Sequence, residues 1–158
     1  MVGQGRDNTV TGADELARQA SALLSGQQDL VANAANLSAL LFHSLDNVSW
    51  VGFYFAKSGE LGVGPFQGQP ACVTIPMGKG VCGTAAETGK IQRIADVHEF
   101  EGHIACDTAS ISELVLPLIK NGRLLGVLDL DSPVKNRFSS RDEQLMKEIS
   151  EIFIHSLG

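Results

Sequence analysis

Residues 113–131 read ELVLPLIKNGRLLGVLDLD. Two apolar runs, Glu113 to Ile119 and Arg123 to Asp131, flank Asn121-Gly122, a dipeptide suited to the positive φ angles of a tight hairpin turn. This is the strongest hairpin signal in the chain, and it predicts an antiparallel sheet. The second run ends on two carboxylates. Asp129 and Asp131 lie two residues apart, so a strand points both to one face. Carboxylates inside so apolar a strand are costly unless paired, exposed or used. Two readings follow. In one, the strand stops at Ser132-Pro133 and Asp131 caps the turn. In the other, both line a pocket, where like-charge repulsion holds a proton on one of them and makes it a general acid. An ionised partner would then suit an ammonium group. Glu113 opens the preceding run, and either faces that pocket or sits at a solvated strand end.

Downstream, Arg141 to Leu157 has a helical stripe of Leu145, Met146, Ile149, Ile152 and Phe153, with Ser140 and Glu143 in capping-box spacing. Upstream, helices are expected from Ala13 to Leu24 and from Asp29 to Leu45, separated by Gly26. Residues 1–12 are polar and are expected to form a flexible N-terminus. Trp50 to Phe55 reads as a strand, with a turn at Lys57-Ser58-Gly59-Glu60 and a Gly-rich partner around Gly62 to Phe66. Val73 to Pro76 and Ile91 to Ile94 are short strands around a helix from Val81 to Thr88, which Gly89 closes. Asp96 to Ser112 has no clean period and reads as a functional loop containing a turn of helix. The expected fold is α+β, with one domain over residues 13–158. Its antiparallel sheet carries helices on one face and a ligand pocket under loops on the other.

Composition narrows the function. At 158 residues and 44% hydrophobic, the chain fits one domain with a real core. Its net charge of -6, with both signs well mixed, argues against nucleic acid and against anionic membranes. No apolar run approaches the roughly 20 residues of a membrane span, and the start MVGQGRDNTVTGADEL lacks signal-peptide character. A cytoplasmic location is the expectation.

In the strand at Trp50, alternation places Trp50, Gly52 and Tyr54 on one face and Val51, Phe53 and Phe55 on the core face. The first set contains the sequence's one Trp and one Tyr. It serves either as ordinary aromatic packing or as a wall for a small ligand, with Gly52 leaving room above the sheet. The three cysteines, Cys72, Cys82 and Cys106, share a Gly-rich region. Their odd number in a reducing compartment points to reactive sulfur. Cys82 stands at a predicted helix start, where the dipole lowers a thiol pKa, so electrostatics alone favours it as nucleophile. Cys106 lies in the irregular loop, and Cys72 also reads as a small buried hydrophobe. His98 and His103 share the region, but the spacings lack the C-x2-C knuckles of structural zinc sites.

The run GPFQGQPACVTIPMGKGVCGTAAETGKIQRIADVHEFEGHIACDTASISELVLPL, with VSWVGFYF before it and GVLDLDSP after it, closely resembles the free methionine-(R)-sulfoxide reductases, small enzymes built on the GAF fold. The likeness runs from about Ala13 to Leu157. It implies a reductase acting on the free amino acid, with Cys106 as nucleophile and Cys82 and Cys72 as resolving thiols in an order left open. It also implies substrate binding by Trp50, Tyr54, Glu113, Asp129 and Asp131, recycling by thioredoxin, and no metal or organic cofactor. GAF domains often pair through terminal helices, and the stripe of the first helix suits such a homodimer. The rival expectation is a non-catalytic GAF module that senses a small ligand or redox state.

Overall fold

The computed structural model describes residues 8–104 and 109–158. Two helices come first, α1 (Asn8–Leu24) and α2 (Leu30–Ser44), followed by strands β1 (Trp50–Lys57), β2 (Glu60–Gln67) and β3 (Thr74–Pro76). Helix α3 (Gly80–Thr88), strand β4 (Gln92–Ile94) and a 3-10 turn (Val97–Glu99) lead to β5 (Ser112–Lys120), β6 (Arg123–Ser132) and helix α4 (Ser140–Ser156). Helix α1 starts inside the stretch expected to be flexible; residues 1–7 lie outside the described residues.

The strands form one sheet in the order β3-β2-β1-β6-β5-β4. All its pairings are antiparallel. The predicted hairpin forms as read, since Asn121 and Gly122 both take positive φ (52° and 75°), as a two-residue turn matched to strand twist requires. Pro117 is tolerated inside β5 because β4 pairs only with residues 113–115, so the strand is an edge at the proline.

One face of the sheet carries the main core. Leu16, Ala20 and Leu24 of α1, Leu37 and Leu41 of α2, and Met146, Ile149 and Phe153 of α4 close over Val51, Phe53, Leu116, Leu128 and Leu130. Helix α3 departs from the one-face expectation. Its Val81, Cys82, Ala85 and Ala86 pack on the opposite face, with Trp50, Tyr54, Val115 and Val127. The cap of α4 also lies one residue earlier than the sequence reading: Ser139 Oγ accepts from Asp142 N at 3.1 Å, and Asp142 Oδ2 accepts from Ser139 N at 2.8 Å. Asp142 wins over Glu143 because its shorter carboxylate reaches back to that N–H and also meets Arg137 at 3.1 Å.

Candidate active site

Strand register brings together the residues that alternation put on one face. Asp131 lies between Trp50 on β1 and Glu113 on β5; one row along, Asp129 lies between Gly52 and Val115. Glu113, Asp129 and Asp131 are 7%, 4% and 9% exposed, so neither the solvated-end nor the turn-cap reading holds. Strand β6 continues through both aspartates to Ser132, and Asp131 is tied there by its own carbonyl, which accepts from Ser49 N at 2.8 Å.

Glu113 and Asp129 resist ionisation. Burial first, and then Asp129, push the Glu113 carboxyl well above the usual carboxylate range. Burial and then Asp131 do the same to Asp129. Among the described residues, nothing hydrogen-bonds the fully buried Asp129 Oδ1 or Ser110 Oγ. A buried acceptor without a partner is costly unless something else meets it.

The aromatic wall is rigid. Trp50 stacks on Tyr54 at 5.8 Å and on Phe66 at 5.2 Å between ring centroids. Its Nε1 donates to the Gln69 carbonyl at 3.0 Å, which fixes the indole. Gly52 does not leave room for a ligand, as the sequence reading had it. A Cβ there would stand 2.3 Å from Phe66 Cβ and 2.7 Å from the Trp50 ring, so the space is already filled.

The cysteines separate. Cys72, between β2 and β3, is disulfide-bonded. Cys82 is a free thiol, buried on α3, and its Sγ donates to Glu113 Oε2 at 3.9 Å. Its pKa is pushed up, the reverse of the dipole expectation. The cause is burial, reinforced by Asp129 and Glu113; these outweigh a helix-end effect confined to the first turn. Cys106 lies outside the described residues.

Trp50, Tyr54, Cys82, Glu113, Asp129 and Asp131 all line one cavity of about 40 Å³. Lys79, His103 and Ser110 line it too. Pattern in the sequence assigns these three no binding role, and Ser110 carries no local signal. Cys82, Glu113 and Asp129 each place a donor atom within 4.8 Å of the others. Neither histidine joins them: His98 is bound to Asp96 at 2.9 Å on the surface.

Residues 12–155 match the GAF domain family, so the chain is a GAF-domain protein. It is 57% identical over 145 residues to protein YtsP of Bacillus subtilis, covering 90% of this chain and 89% of that one. It is 50% identical over 135 residues to the free methionine-R-sulfoxide reductase of Escherichia coli, covering 85% and 82%. The structure of the Staphylococcus aureus fRMsr in complex with substrate superposes with a TM-score of 0.89 at 46% identity, covering 92% and 95%. Within the GAF domains, the chain belongs to the free methionine-R-sulfoxide reductase family.

Proposed function

We propose that this protein reduces free methionine-R-sulfoxide to methionine. The observation that carries the reading is the trio of buried carboxyls, Glu113, Asp129 and Asp131, set beside the fixed indole of Trp50. An amino-acid ammonium neutralises such a cluster. The methyl and sulfur end of the substrate meets the aromatic wall. Burial of the substrate's ammonium and carboxylate excludes a methionine sulfoxide held in a peptide chain.

In the proposed reaction, Cys106 thiolate attacks the sulfoxide sulfur. The oxygen passes to Cys106 as a sulfenic acid and methionine departs with both electrons. A protonated carboxyl donates to the sulfoxide oxygen; the raised pKa values of Glu113 and Asp129 support these two for that role. Cys72 thiol then condenses with the sulfenic acid, releasing water and forming a disulfide. The bonded state of Cys72 and the free, proton-retaining thiol of Cys82 favour Cys72 as the resolving residue. A dithiol partner, thioredoxin, takes up the disulfide and restores both thiols.

A single-turnover experiment tests this order. Reduced protein mixed with one equivalent of substrate should yield one methionine and lose two thiols. Peptide mapping should then find Cys72 oxidised and Cys82 open to alkylation after denaturation. Oxidised Cys82 with free Cys72 would overturn the assignment.

A further inference from the structure

The geometry points to a binding site for one thiophilic divalent cation, of the zinc or cadmium class, on Cys82, Glu113 and Asp129 inside the same cavity. The three donor atoms lie within 4.8 Å of one another, and all three side chains are buried. They come from three separate elements, α3, β5 and β6, so the grouping belongs to the fold and not to one local turn. A second observation concerns the cavity itself. Among the described residues, neither Asp129 Oδ1 nor Ser110 Oγ has a hydrogen-bond partner, and both residues line it, at 4% and 7% exposure. Two orphaned oxygens around one small void mark a place that a polar or charged occupant would complete.

Softness selects the occupant. A cavity of about 40 Å³ has room for an ion with a bound water. Zinc holds sulfur at about 2.3 Å and carboxylate oxygen at about 2.0–2.2 Å. The Cys82–Glu113 separation of 3.9 Å therefore needs to shorten by only a few tenths of an ångström. The sulfur donor turns the site away from magnesium and calcium, which take oxygen. Binding displaces the protons held by the thiol and the carboxyls, so metal replaces protons with no redox change. The ion would occupy the acids that the proposed reaction uses for substrate. It is therefore an inhibitor of the reductase and not its cofactor, a consequence that rests on the reading above.

Cadmium titration of full-length Cys72→Ser/Cys106→Ser protein, in which Cys82 is the one remaining thiol, tests the site. Ultraviolet absorption of a cadmium–thiolate bond reads binding directly, without any assay of turnover. One equivalent should bind, excess magnesium should not compete, and Asp129→Asn or Glu113→Gln in that background should weaken binding by about tenfold or more. Added free methionine-R-sulfoxide should displace the ion. Absence of the absorption band in folded protein, or affinity unchanged by both carboxyl substitutions, would overturn the site and leave the reductase reading standing. Binding that methionine sulfoxide does not displace would overturn the inhibitory role alone.

Discussion

The thiol of Cys82 donates to the carboxyl of Glu113 across 3.9 Å in a fully buried contact between α3 and β5. This relationship sets Cys82 apart from the disulfide-bonded Cys72. A thiol whose proton is held by burial and by neighbouring acids is a poor nucleophile but a good positioning group. Cys82→Ala should lower kcat by about three- to tenfold while the disulfide at Cys72 still forms. Cys72→Ser should instead release about one methionine per protein and then stall. Quantifying methionine against protein in both variants, with thioredoxin as reductant, distinguishes the two roles.

The buried acids make stability depend on pH in a definite direction. A carboxyl whose folded pKa lies above its unfolded value leaves the folded state holding more protons. Stability therefore falls as pH rises from the unfolded pKa near 4 toward the folded value. Glu113→Gln and Asp129→Asn remove that loss. At pH 8 each variant should melt above wild type by roughly 2–4 °C, corresponding to about 1 kcal/mol, and the gain should vanish near pH 4. Both should lose activity by about a hundredfold or more. Melting curves across pH, run beside initial rates, check both halves.

Trp50 combines packing with a fixed hydrogen bond. Trp50→Phe keeps the ring stack with Phe66 and Tyr54 but drops the bond to Gln69, at about 1 kcal/mol. Its main effect should be a raised KM. Trp50→Ala should destabilise by about 3–5 kcal/mol, read by chemical denaturation.

Gly52 is held by its neighbours and not by its φ. An added methyl meets the Phe66 Cβ at 2.3 Å and its Cα at 2.9 Å, so β1 and β2 must separate. Gly52→Ala should cost about 1–3 kcal/mol or more. Ser139→Ala, which removes the α4 cap away from the cavity, should cost about 1 kcal/mol and leave KM unchanged.

Much of this arrangement is legible in local pattern. The Asn-Gly turn, the alternation through Trp50 to Phe55, and the apolar stripe of α4 determine their elements through short-range chemistry, and the structure has them. The shared face of Trp50, Tyr54, Asp129 and Asp131 follows from the period of two in a strand. What local pattern misses depends on neighbours distant in sequence. Gly52 reads as open until β2 brings Phe66 across it. Cys82 reads as activated until Glu113 and Asp129 arrive from strands 31 and 47 residues away. Ser110 and Lys79 become cavity residues only when α3 folds over the sheet. The choice of Ser139 over Ser140 as cap turned on the reach of one carboxylate.

The most direct test of the account is methionine release from the separate R and S epimers of free methionine sulfoxide, with dithiothreitol or thioredoxin as reductant. The account predicts consumption of the R epimer alone, abolished in Cys106→Ser. Folded, fully reduced protein that turns over neither epimer would contradict it and leave a ligand-sensing GAF domain in its place.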